Sequence, residues 1–374
     1  MQIQRFIFLS ITIAAMQVNG QVFTNKEVGK NNEELADSLK QSDWPYVLPI
    51  WGDKATKKGF NLPYSAGVSV QYFSQKSDLL IDNLYVGFNN GTLYPLDGIV
   101  RFDKARATAS AITVRPDVWI LPFLNVYAIF GRSQASTDVG VGVWVQDSSN
   151  NDVNIANFSS KIDFTATTFG LGATPTIGIA GGFLALDMNV AWSDVPQLDK
   201  PAMTFIFGPR LGKQIKLKNP NETVAIWVGG FRVKLNSSTN GSVNLADVIP
   251  ADGSTLAQIE QGEQKVEETQ QGVDEWWNGL SNLEQQNPVN KAKYETANAV
   301  LERTAGFLSA AENAVNNLAN SSVQYSMDKR VKDAWNFIAG AQFQMNKHFM
   351  LRGEVGFLGS RTQVIAGLQY RFGL

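Results

Sequence analysis

Cysteine is absent from all 374 residues, and histidine occurs once, as His348. Such a chain can build no disulfide, no thiol nucleophile, no thiolate metal site and no lipid-modified N-terminal cysteine. His348 falls in a short turn between two apolar runs, which leaves no apparatus for Ser-His-acid hydrolysis, histidine-based metal binding or proton shuttling. The glycine-rich stretch GLGATPTIGIAGG lacks the Lys-Ser/Thr pair that a phosphate loop requires. The sequence therefore points to no enzyme, no cofactor and no metal. Excess charge is missing too. With 32 Lys and Arg against 34 Asp and Glu, the net of −2 offers nothing for a nucleic-acid partner.

Long hydrophobic runs are also scarce. One apolar run covers 6–16, behind Arg5 and ahead of Val18-Asn19-Gly20. It is too short to cross a bilayer as a helix, and its flanks are those of an export signal, so 1–20 are read as a signal peptide. Residues 21–64 are mostly polar, interrupted by the cluster DWPYVLPIW, and are read as an N-terminal periplasmic segment that packs against something larger.

What the chain does have is alternation, over 65–235 and again over 335–374. In LALDMNVAW, Leu184, Leu186, Met188, Val190 and Trp192 share one face, and Asp187 and Asn189 the other. In LNVYAIF, Leu124, Val126, Ala128 and Phe130 oppose Asn125 and Tyr127. The closing stretch AGLQYRFGL sets Ala366, Leu368, Tyr370, Phe372 and Leu374 against Gln369 and Arg371. Alternation follows from the pleat, which turns successive side chains to opposite faces. A soluble sheet would set its polar face toward water. A membrane barrel would set its apolar face toward lipid and its polar face toward the lumen. Strands of about ten residues or more, polar faces rich in Gly, Asn and Gln, and aromatics at the ends of apolar faces (Phe130, Trp192, Trp335, Phe357, Phe372) favour the membrane.

The expected fold is an all-β, antiparallel transmembrane barrel of about twelve strands, or ten if 79–88 is loop. The parity around 121–160 is open. Leu121-Pro122 and the stretch GRSQAS both look like short turns, so either a strand boundary lies elsewhere or 137–147 extends above the membrane. On this reading Arg115, Asp117, Tyr127, Asp187, Arg210, Arg352, Glu354 and Arg371 face the lumen, and ion pairing among them is a better explanation than paired-carboxylate chemistry.

Between the two β regions the period becomes helical. Across 254–320, Ile259, Val266, Val273 and Leu280 recur every seven residues, as do Tyr294, Leu301, Leu308 and Val315, with a break at QQNPVN. This predicts an antiparallel helical coiled-coil hairpin, either projecting from the surface or folded into the lumen as a plug. Trp276 and Trp277 are neighbours and cannot both enter one seam. If Trp276 packs inside, Trp277 is left on the flank, and the pair are candidate partner contacts.

With the terminal strand, the aromatic girdle and the export signal, the chain resembles the outer-membrane β-barrel proteins of Gram-negative bacteria. The resemblance is architectural, over 65–235 and 335–374, and matches no single family. It implies a place in the cell outer membrane among lipid, and assembly by the barrel-assembly machinery through the C-terminal strand. Leu374 departs from the terminal aromatic usual there. Two roles are expected: a pore or transporter for small solutes or apolar molecules, or a closed barrel anchoring a surface hairpin that binds a protein partner.

Overall fold

The computed structural model describes residues 33–374, apart from 148, 150, 180–181, 196–200, 218, 220, 236–237 and 250–252. Residues 1–20, read above as a signal peptide, lie outside the described residues. Two short helices, α1 (Glu33–Gln41) and α2 (Gly52–Thr56), precede the first strand. Ten strands then close on themselves: β1 (Ala66–Phe88), β3 (Val100–Leu121), β4 (Leu124–Gln146), β5 (Asp152–Ile179), β6 (Gly182–Asp194), β7 (Ala202–Lys216), β8 (Thr223–Leu235), β11 (Trp335–Gln344), β12 (Phe349–Phe357) and β13 (Arg361–Phe372). β13 pairs with β12 on one side and with β1 on the other, from Ala66↔Phe372 to Ser77↔Arg361, so the barrel has no free edge. Three further strands lie outside the closed circuit: β2 (Tyr94–Pro95), β9 (Ser238–Asn244) and β10 (Ser322–Val331). Helices α3 (Ser254–Asn278), α4 (Asn282–Gln285) and α5 (Pro288–Asn316) form the hairpin.

The barrel has the lower of the two expected strand counts. The segments 65–75 and 79–88 are one strand, β1, and so are 123–132 and 137–147, which make up β4. GRSQAS is therefore no turn. Only Pro122-Phe123 reverses the chain there, between the paired Leu121 and Leu124. The parity is settled by extension: β1, β3, β4 and β5 run for 22–28 residues, whereas about 9–11 suffice to cross the bilayer. At roughly 3.3 Å per residue these four strands climb far past the membrane. The turns at 122–123 and 345–348 lie at one end of the barrel, and the long β1–β3 and β8–β11 connections at the other, which is the outer end.

Each long strand exchanges its two faces as it leaves the lipid. On β4 the outward residues change from Val126, Ala128 and Phe130 to Arg132, Gln134, Ser136 and Asp138. Its inward residues change from Asn125 and Tyr127 to Val139, Val143 and Val145, all buried. Outward ion pairs appear at the same height: Lys104 with Asp138, Arg106 with Asp78 (3.0 Å) and Arg330 with Asp82 (3.0 Å). Charges of this kind are at home in water and costly against lipid. Below them, Phe130, Phe169 and Trp192 form an exposed aromatic row across β4, β5 and β6, with ring centroids 5.5 and 6.2 Å apart. That row is the upper edge of the lipid belt.

Above the belt, the inner faces of the extended strands and of β10 build an apolar core with the hairpin. Ile259, Val266 and Val273 of α3 and Leu301, Leu308 and Ala311 of α5 are buried together with Val86, Val143, Ile155, Phe164, Val323 and Met327. The hairpin is neither a plug within the bore nor a free projection. Its heptad residues are shared between the partner helix and the sheets, and the result is a helix-on-sheet domain on the outer side of the membrane.

Candidate functional site

The face alternation that sends Val114 and Val118 to lipid sends Arg115 and Asp117 inward, and all eight lumen candidates lie inside the barrel. Seven are buried, and the Arg352 side chain is only 8% exposed. They fall into two groups. Nearer the middle, Arg210 of β7 grips Glu354 of β12 bidentately, Nε to Oε2 at 2.8 Å and Nη2 to Oε1 at 3.0 Å. Trp227 Nε1 donates to the same carboxylate at 2.8 Å, and Arg352 lies 3.5 Å from it with its guanidinium 4.3 Å over the Trp227 ring. Asp187 sits 3.7 Å from Arg210 and accepts the Tyr127 hydroxyl at 2.6 Å. Arg115 stacks on the Tyr127 ring at 3.5 Å. Six of the eight candidates thus form one continuous network, held by charge-assisted hydrogen bonds and cation–π contacts.

The second group closes the periplasmic end. Arg371 donates to Asp117 at 3.1 Å, Gln369 and Asn125 donate to the same carboxylate at 2.6 and 2.8 Å, and Arg371 also donates to the Tyr64 carbonyl at 2.6 Å. The segment before β1 lies against this mouth. Leu48 N–H donates to the Leu374 carbonyl, Ile50 N–H to that of Ile120, and Leu374 N–H to Ser65 Oγ at 2.8 Å. His348 rests between Tyr64 and Tyr370, with Nδ1 2.8 Å from the Arg371 carbonyl oxygen. Leu374 is thus held on both sides, by Leu48 and by Ser65.

Sequence reasoning missed the layer adjoining the network. Phe73, Ala111, Ile129, Ile206, Phe231, Val233, Ile338 and Ile365 come from seven of the ten barrel strands and cluster with Tyr127 inside the bore, each at most 4% exposed. The signal was present: a single large apolar residue on an otherwise polar face, as in Phe73 among Ser69, Gln71, Gln75 and Ser77. Read strand by strand, each is a minor exception. Only register brings them to one level.

Of the two tryptophans, Trp277 is the one that stacks across the hairpin, on Tyr294, with centroids 4.5 Å and planes 11° apart. Trp276 lies 4.8 Å from Lys293 Nζ and lines a cleft of about 430 Å³ with Arg101, Trp144 and Asp152. Val273 is the buried anchor, and residues three and four positions after it straddle its face on a helix. Both tryptophans are half-buried.

No protein-family model and no curated protein matches the chain. Among solved structures, it is similar to the β domain of the Bordetella autotransporter BrkA (10% identity, 82% of this chain and 100% of that one, TM-score 0.33). It is also similar to the transport unit of autotransporter AIDA-I from Escherichia coli (8%, 93% and 100%, TM-score 0.31) and to an outer membrane channel from Pseudomonas putida F1 (8%, 83% and 96%, TM-score 0.28). Likeness at these scores carries no argument of its own. The class rests on the molecule: a closed, even-stranded antiparallel barrel with an apolar belt outside and ion-paired polar residues inside. The chain is an outer-membrane β-barrel, surrounded by lipid.

Proposed function

We propose that this barrel is a membrane anchor closed to water-soluble solutes, which holds the helix-on-sheet domain at the cell surface for a protein partner. One observation carries the reading: the bore is filled by a buried ionic network stacked against an apolar layer drawn from seven strands. Hydrated ions passing it would have to break the first and cross the second. The docking half of the proposal is supported by the hairpin tip, where Leu283 and Val289 are 83% and 72% exposed, next to Trp276 and Trp277. Planar-bilayer recording tests the closed bore. The full chain passes no current, and none after deletion of 254–320; ohmic steps from the intact protein would refute it.

A second reading, transport of small apolar molecules, is supported by the two apolar clusters, one in the bore and one in the surface domain. Such a solute would still have to pass the buried Gln75, Ser77, Ser133, Asn336, Arg361 and Gln363, which lie between them along β1, β4, β11 and β13. On either reading, insertion by the barrel-assembly machinery works through the C-terminal strand, with Leu374 in the place of the usual aromatic.

A further inference from the structure

The surface domain is not filled to its centre. Between the hairpin and the strands lies an apolar pocket of about 130 Å³, open on one side. Val86, Val143 and Val323 line it from the strands, and Ile259, Phe307 and Ala311 from the helices. Its polar contributors are Ser159, Ser160 and Thr255. A buried water needs two to four polar partners, and an apolar cavity of about 150 Å³ stays dry and accepts benzene or xenon. Two further observations narrow the occupant. Phe88 and Phe307, whose centroids are 5.8 Å apart, both border the space, as does Phe158, and ring edges and faces favour another ring. The Ser160 hydroxyl oxygen is shielded from solvent and, among the described residues, has no hydrogen-bond partner. A lone hydroxyl in an apolar wall is suited to one polar substituent.

We propose that this cavity binds a single-ring aromatic compound, with Ser160 hydrogen-bonding a phenolic hydroxyl. The enclosed part of the space is of the size that one ring fills. The site lies above the lipid belt, on the outer side of the barrel, where a molecule from the medium meets it before the membrane does. Binding here needs no conduction through the bore, so a conductance result bears on the anchor reading and leaves this proposal standing or falling by itself.

The test uses the full-length chain folded in detergent, with phenol, benzene and cyclohexane as probes. Melting of the hairpin helices is followed at 222 nm, because a ligand that binds only the folded state raises the midpoint. Phenol and benzene should raise it, and cyclohexane less. Ala311→Leu fills the cavity and should abolish the shift. Ser160→Ala, a change of one atom that leaves the fold intact, should weaken phenol about fivefold and leave benzene unchanged, as expected for one neutral hydrogen bond. A wild-type midpoint that ignores both aromatic probes would overturn the proposal. So would an Ala311→Leu protein that keeps the full shift, or a Ser160→Ala protein that binds phenol as tightly as wild type.

Discussion

Replacing Glu354 by Gln asks whether the bore is dry. Glu354 is 2% exposed and accepts three hydrogen bonds from two groups, two from Arg210 at 2.8 and 3.0 Å and one from Trp227 at 2.8 Å, with Arg352 an ion-pair neighbour at 3.5 Å. Glutamine keeps the shape and one acceptor. It also turns an amide NH₂ toward the arginines and leaves Arg210 facing the Asp187 carboxylate 3.7 Å away. If water were at hand, the ion pair would count for little: exposed pairs contribute about 0–1 kcal/mol, and solvent would take over the orphaned guanidinium. If the network is sealed, removing one partner strands a buried charge, at a cost of about 3–5 kcal/mol. The two answers differ by more than the error of extrapolated unfolding energies. The assay is urea unfolding of the folded barrel in lipid vesicles, comparing wild type, Glu354→Gln, Arg210→Met and the double variant. We expect each single variant to lose about 3 kcal/mol or more, and the double variant to lose clearly less than their sum, because each change spoils the same contact. A loss below about 1 kcal/mol for Glu354→Gln would refute the dry bore, and the closed-anchor reading with it.

Lys329 provides a pH test outside the membrane. It lies on the inner face of β10, and burial pushes its ammonium down to about 7. An unfolded lysine keeps its proton to about 10.4, so between pH 7 and 10 the unfolded chain binds more protons and stability rises with pH. The penalty is present in full below pH 7. Lys329→Met should raise the melting midpoint of the surface domain at pH 7 and flatten its rise toward pH 10; an unchanged pH profile would show that the ammonium is solvated. In α3, Gly272 has nothing within 4 Å of the position a Cβ would take, whereas at Gly262 that position is 3.2 Å from Ile155 Cγ2 and 3.3 Å from Leu308 Cδ1. Gly272→Ala should therefore stabilise the hairpin by about 0.5–1 kcal/mol, and Gly262→Ala by less, as read from melting at 222 nm. Equal gains would mean that α3 does not rest on β5 at Gly262.

What could be read in the chain beforehand depended on how local its cause was. The pleat acts residue by residue, so Leu368, Tyr370 and Phe372 declared their lipid face and Gln369 and Arg371 their lumen face. All eight inward candidates could be named by the same rule. Heptad spacing likewise located the buried side of both helices, at Ile259, Val266, Val273, Leu301 and Leu308. The strand count was harder. Where a strand leaves lipid for water its two faces exchange character, and the polar stretch at that crossing, 132–138 in β4, reads like a turn. The cue lay further along, in Val139, Val143 and Val145, whose inward valines resume the alternation in opposite phase.

Composition and period by themselves thus pointed to an outer-membrane barrel with a helical insertion. Tertiary structure alone decided that an apolar layer crosses the bore and that the hairpin rests on the strands. The layer depends on Phe73, Phe231, Ile338 and Ile365 arriving at one level from β1, β8, β11 and β13. That level is set by the stagger of strands around the barrel, a property of how the sheet closes and of no single strand. The hairpin's seat is decided in the same way. An apolar seam such as Val266 and Leu308 can be satisfied by a partner helix or by a sheet, and which one it meets depends on surfaces more than a hundred residues away in the chain, at Val143 and Ile155.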